Sequence, residues 1–217
     1  MKTPFIIVLA HQKGGVGKST IASNLAVELS KRCKLSILDL DMQKSLTYFN
    51  SLRKKNGLKE FNIMHADGIT EVKNAINNNK DVLLIDVGGF DSDVNRIAIL
   101  GADLIITPVS DSGIELVGLL SFRAILREIR KHRPDLKASI LLNRVNVRAG
   151  SSLDEIFDFI SNNQEFDKLS TILRDRADYK RAFDSGKSVI EYNGKAIEEM
   201  ENLIKEITNG KNWWRNF

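Results

Sequence analysis

The 217-residue sequence has a single cysteine, Cys33, so no disulfide can close within the chain. A reducing, cytosolic location is expected on that ground. There are only three prolines, and no Pro/Gly/Ser-rich stretch divides the sequence into separate units. Internal repeats and low-complexity segments are also missing. No run of about 18 apolar residues occurs, which excludes a helix crossing a bilayer. The apolar run Phe5–Ala10 is only a strand's length, and a glycine loop follows it where a secretory signal would need a cleavage site. Neither sign of charge dominates: 32 basic and 28 acidic residues leave a formal +4. So small a surplus does not by itself indicate a nucleic-acid partner; the placement of the cations decides. What is present is a globular composition, 42% hydrophobic and 28% charged. The length suits one domain over 1–217, with a flexible tail expected at about 209–217.

Short apolar, β-branched runs alternate with longer amphipathic ones. Phe5–Ala10, Leu35–Leu40, Val82–Ile85, Leu104–Thr107 and Ala138–Leu142 read as buried strands. Helices are expected near 19–32, 69–78, 93–100, 113–132, 151–163 and 194–208. The last carries Ile197, Met200, Leu203, Ile204 and Ile207 on one face, a core-facing stripe. Continuous apolar strands separated by helices predict an α/β fold, a doubly wound and mostly parallel sheet flanked by helices.

Between the first strand and first helix lies Lys13-Gly14-Gly15-Val16-Gly17-Lys18-Ser19-Thr20. Glycines let such a backbone curl until its amides point at phosphate oxygens, and the helix start adds partial positive charge. Lys18 is placed to reach the β- and γ-phosphates of a nucleotide, and Ser19 to ligate Mg²⁺. The ordinary phosphate-loop pattern has glycine at the position held here by Gln12. A second lysine, Lys13, follows it.

This loop resembles the deviant Walker A motif of the ParA/MinD family of P-loop ATPases. Only about four residues precede the first strand, as in the short ParA-type members. The resemblance implies two subunits facing each other across two ATP molecules, with Lys13 of one touching the phosphates of the other. Leu38-Asp39-Leu40-Asp41-Met42-Gln43 is similar to the family's D-x-D-P-Q switch segment. Asp41 would orient or activate the attacking water, and Asp39 would lie near the Mg²⁺ shell. The family's proline is Met42 here, which frees one backbone dihedral. Val82-Leu-Leu-Ile-Asp86 resembles Walker B, with Asp86 emerging toward Mg²⁺. Asn143, after Leu141-Leu142, would hydrogen-bond the adenine, since an amide both donates and accepts. Ile172-Leu-Arg174-Asp175, expected to follow the next strand, would bring Arg174 and Asp175 to the other wall of the base pocket.

Two stretches concentrate cations: Arg123, Arg127 and Arg130 at helical spacing, then Arg176, Lys180 and Arg181 leading to Gly186-Lys-Ser-Val189. Many ParA-type relatives bind DNA nonspecifically through such patches. The resemblance thus implies a cytoplasmic, nucleoid-associated ATPase with weak, partner-stimulated hydrolysis. It would dimerise on ATP and position plasmid, chromosomal or other cargo with a ParB-like or other adaptor. The alternative is a MinD-like membrane-associated switch, but Trp213, Trp214 and Phe217 follow Gly210 in a tail too short and broken for an amphipathic anchor. A nitrogenase iron-protein role is disfavoured, because one cysteine per subunit cannot supply two cluster thiolates. His11 is expected only to pack at the strand end. His65 and His132 have no neighbours at metal-ligand spacing, and Cys33 reads as small buried filler.

Overall fold

A computed structural model describes residues 5–112, 115–146 and 151–209. Trp213, Trp214 and Phe217 lie outside these residues. The strands are β1 Phe5–Leu9, β2 Leu35–Asp39, β3 Asn62–Met64, β4 Val82–Asp86, β5 Leu104–Val109, β6 Ala138–Val145 and β7 Phe166–Arg174. Their order in the sheet is β3-β2-β4-β1-β5-β6-β7, and every pairing is parallel. The helices are α1 Lys18–Ser30, α2 Ser45–Lys55, α3 Ile69–Asn78, α4 Asp93–Leu100, α5 Glu115–Arg130, α6 Ser151–Ser161, α7 Ala177–Asp184, α8 Val189–Tyr192 and α9 Ala196–Asn209.

Both faces of the sheet are covered, which is why the central strands read as unbroken apolar runs. Every residue of β4 is buried. One face of the sheet places Val8, Leu83, Ile85, Ile105 and Ile140 against Ala98, Leu119, Phe122 and Leu126 of α4 and α5. The other places Ile7, Leu9, Ile37, Leu84 and Leu141 against Ile21, Leu25 and Leu29 of α1 and Met200, Leu203 and Ile204 of α9. The stripe expected on the last helix is therefore core.

Strand register brings the chemistry to one edge. Leu9 pairs with Asp86 and Asp39 pairs with Asp86, so both carboxylates stand at the carboxyl ends of neighbouring strands. The loop after β1 lies beside them, the usual ligand crevice of an open parallel sheet.

Several elements differ from the sequence expectation. Helix α2, edge strand β3 and helices α7 and α8 are not among the elements expected from the sequence. Ile172 and Arg174 lie inside β7 and do not follow it; only Asp175 is beyond the strand. β7 is an edge strand with a half-polar pattern and two register shifts against β6, so it lacks the continuous apolar run of its neighbours.

Candidate nucleotide site

Helix α1 begins without a side-chain cap and without an acidic residue in its first turn. Its N-terminal amides are thus left for something outside the helix. The residue before it, Gly17, has φ +98°, and a Cβ there would stand 2.5 Å from Asn143 Nδ2. Only glycine fits both the backbone and the space. On the other side, Gly89 follows β4 so closely that its Cβ would lie 2.7 Å from the Gly14 nitrogen. The loop is therefore gripped between the ends of β4 and β6. Asn143 donates to the Val16 carbonyl at 2.8 Å, and Arg144 donates to the Gly15 carbonyl at 2.7 Å.

The two loop lysines go to different places. Lys18 is buried, and its Nζ donates to the Lys13 carbonyl at 3.1 Å across the curl. Burial lowers its pKa, while Asp86 and Asp41 oppose the shift. The Lys13 side chain is 40% exposed and pairs with Glu115 Oε1 of α5 at 2.7 Å. One ammonium thus lies inside the site and the other at its rim.

The carboxylates also differ. Asp39 Oδ2 accepts from the Thr47 amide at 3.1 Å and the Thr47 hydroxyl at 2.7 Å, and Oδ1 accepts from the Asp41 amide at 3.3 Å. Asp39 therefore ties down the first turn of α2 and holds the Asp41 backbone. Asp86 is completely buried, and neither of its oxygens makes a hydrogen bond. Burial pushes the Asp86 pKa up to about 7, although the nearby Ser19 hydroxyl favours the charged form. An unpartnered buried carboxylate beside a hydroxyl suits a hard, oxygen-seeking cation such as Mg²⁺. Among the described residues no cluster of three or more His, Cys, Asp or Glu forms a metal cage of its own. Such a cation would draw its other ligands from phosphate and water.

Two adjoining clefts open here. One, of about 490 Å³, is lined by Gly14, Lys18, Ser19, Asp41, Gly89 and Phe90. The other, of about 610 Å³, is lined by Asn143, Arg174, Asp175, Tyr179 and Lys180, among others. Gly17, Thr20, Arg144 and Phe183 border both. Asn143, Arg174 and Asp175 thus meet in a cleft continuous with the phosphate loop. Arg144, Glu115, Tyr179 and Phe183 do not stand out in the sequence. Arg144 directly follows Asn143 and has a left-handed φ of 56°, which no sequence pattern signals.

His11 is buried, 1% exposed, and its Nδ1 accepts the Lys13 amide at 2.9 Å. Burial first, and then Lys18 and Lys13, lower its pKa to about 4, so the ring is neutral. Three of the six expected cations are tied to their own fold. Arg127 pairs with Glu165, and Arg130 donates to the carbonyls of Leu136 and Gln164. Arg176 pairs with Glu199 at 2.7 Å. Arg123 is half-buried, and Lys180 and Arg181 are exposed.

A glycine loop between a central strand and an uncapped helix, with a buried lysine inside it and a buried Asp at the next strand's end, defines a P-loop nucleotide-binding protein. The chain belongs to the CobQ/CobB/MinD/ParA nucleotide binding domain family, whose sequence model matches residues 7–189. It is 25% identical over 209 residues to a maintenance of carboxysome distribution protein A of Halothiobacillus neapolitanus, covering 94% of this chain and 96% of that one. It is 32% identical over 130 residues to a ParA protein of Rhizobium radiobacter, 57% of each chain. The fold matches a plasmid partition protein of Borrelia burgdorferi bound to AMPPNP, with TM-score 0.73 at 22% identity, over 96% of this chain and all of that one. It also matches an ATP complex of Cyanothece McdA, with TM-score 0.74 at 17% identity, over 96% and 98% of the two chains.

Proposed function

We propose that this chain is a ParA-type positioning ATPase that closes into a dimer around two ATP molecules. The observation that carries the reading is the separation of the loop lysines: Lys18 is buried in its own site, while Lys13 stands half-exposed at the rim. In this reading the amides of residues 14–20 and Lys18 hold the phosphates, and Asn143, Arg174 and Asp175 hold the base. Ser19 and Asp86 hold Mg²⁺, which supplies positive charge against the phosphate oxygens. Asp41, half-buried at the cleft wall, orients the attacking water. Lys13 from the partner offsets charge that develops on the transferring phosphoryl group, so it acts only in the dimer. Nucleotide binding and dimerisation then become one linked equilibrium.

Exposed Met42 and Phe90 border the phosphate cleft, and exposed Val117 and Leu120 lie on the helix that holds Lys13. They supply the apolar contact that such a dimer would bury. The relatives and solved neighbours named for plasmid partition and carboxysome distribution support a cargo-positioning role. Nonspecific DNA is the matrix in this reading, with Lys180 and Arg181 as its most available cations and Arg123, Arg127, Arg130 and Arg176 contributing through their outer edges. A ParB-like or other adaptor would stimulate turnover on the nucleoid in the cytoplasm.

The test is DNA binding with ADP, ATP and a slowly hydrolysed analogue at two salt concentrations. Binding that requires the triphosphate and weakens steeply with salt is expected. ATP-dependent pelleting with liposomes, without any DNA shift, would instead identify a MinD-like membrane switch.

A further inference from the structure

Glu115, at the start of α5, is 4% exposed and lies deep for an acid. Its Oε1 accepts from Lys13 Nζ at 2.7 Å and from the Ser110 hydroxyl at 3.2 Å. Its Oε2 makes no hydrogen bond, and His11 Nε2, 4.0 Å away, makes none either. Because His11 Nδ1 accepts the Lys13 amide, the neutral ring carries its proton on Nε2, facing Glu115. The ring is held there from two sides. Phe122 stacks on it with centroids 6.3 Å apart, and a Cβ on Gly118 would stand 2.7 Å from His11 Cε1. A donor and an acceptor, both buried and both unused, therefore face each other across a gap that a shift of about 1 Å would close to a hydrogen bond.

We propose that Glu115 is the positioning residue for Lys13: it holds the ammonium at the rim of the nucleotide-free monomer, and passes to His11 Nε2–H when Lys13 swings to the partner's phosphates. The proposal rests on the reading of Lys13 as a ligand across the dimer. A buried carboxylate deprived of its cation is costly, so Glu115 opposes dimerisation. The donated His11 hydrogen bond offsets part of that cost. The nucleotide-driven equilibrium is thus set by a competition: Glu115 and the γ-phosphate of the facing subunit share one ammonium.

The test is sedimentation velocity over a range of protein concentrations with Mg²⁺ and a slowly hydrolysed ATP analogue. The variants are Glu115→Gln, His11→Asn and the double variant, with Lys13→Ala as reference. The Asn side chain keeps an acceptor for the Lys13 amide but ends short of Nε2. Glu115→Gln should dimerise at about three- to tenfold lower protein concentration, because the competing ion pair is gone while the amide keeps the shape. Its nucleotide affinity as a dilute monomer should be unchanged, a readout that a general loosening of the site would move. His11→Asn should weaken dimerisation about threefold in the wild-type background and have no effect once Glu115 is Gln, since the two act as one unit. Should Glu115→Gln fold poorly in a thermal melt, Glu115→Asp, which retracts the carboxylate, must shift dimerisation in the same direction by less. Glu115→Gln dimerising no better than wild type, while Lys13→Ala stays monomeric, would overturn the proposal and leave the dimer reading intact. Equal effects of His11→Asn in both backgrounds would overturn the hand-over. Dimerisation of Lys13→Ala with the analogue would overturn the trans role itself.

Discussion

Replacing Asp86 with Asn should make the nucleotide-free protein more stable at neutral pH, although it removes the proposed metal ligand. Asp86 is fully buried and its pKa stands at about 7, against an ordinary 3.8. Between those values the folded chain holds a proton that the unfolded chain has released, so folding stability falls as pH rises and the loss is complete above about pH 7. Moving a carboxyl from 3.8 to about 7 corresponds to about 4 kcal/mol at the upper end. His11 works in the opposite sense. Its pKa drops from 6.5 to about 4, so its contribution is present above pH 6.5 and is lost as pH falls toward 4, about 3 kcal/mol in all. The two slopes oppose each other between about pH 4 and pH 6.5, and the wild-type profile should be comparatively flat there. Asp86→Asn removes one slope. Urea denaturation from pH 4.5 to 8, without Mg²⁺ or nucleotide, should show the variant gaining stability with pH up to about 6.5. At pH 8 it should exceed wild type by about 2–4 kcal/mol, since a neutral Asn carries no charge-burial cost. Adding Mg²⁺ and the ATP analogue should reverse the ranking, because the cation stabilises only the carboxylate form. A variant that is less stable than wild type at pH 8 without nucleotide, or whose profile runs parallel to it, would refute the account of Asp86 as an unpartnered buried acid.

Lys18→Ala should abolish ATP binding, read by calorimetry; retained affinity would remove the loop assignment. Asp41→Ala should bind ATP and accumulate as a dimer with turnover down about a hundredfold or more, measured as phosphate release; normal turnover would exclude Asp41 from water orientation. Gly17→Ala should lose both stability, by about 1–3 kcal/mol in urea denaturation, and nucleotide affinity, since the position has φ +98° and no space beside Asn143. Lys180→Ala with Arg181→Ala should lower the salt slope of DNA binding by about two in a fluorescence anisotropy titration, about one for each phosphate left without its cation. An unchanged slope would place the DNA surface elsewhere.

The phosphate loop was legible in the sequence because its chemistry is local: eight consecutive residues, a strand before and a helix after. The central strands were legible for the same kind of reason. A strand buried on both faces must be continuously apolar, and Phe5–Leu9, Val82–Asp86 and Leu104–Val109 very nearly are. Helix α2 and strand β7 were not, because their residues answer to distant partners. Arg53 of α2 is buried against Gly186 and Glu191, and Glu206 of α9 holds the Ser170 and Thr171 amides where β7 shifts its register against β6. Basic spacing along α5 suggested a cationic stripe, yet Arg127 and Arg130 are drawn onto Glu165 and nearby carbonyls, which spacing alone cannot reveal.

By itself the sequence determined the class of fold, the nucleotide loop and the order of its acidic partners, since each is written in contiguous residues or in strand-length runs. The tertiary structure decided which of those groups are satisfied. It gave Asp39 to Thr47 and left Asp86 bare, and it placed Lys18 inside the loop and Lys13 on Glu115, 102 positions away. The reason is that hydrogen bonds and ion pairs depend on distances of about 3 Å between side chains, and only packing of the sheet and helices sets those distances.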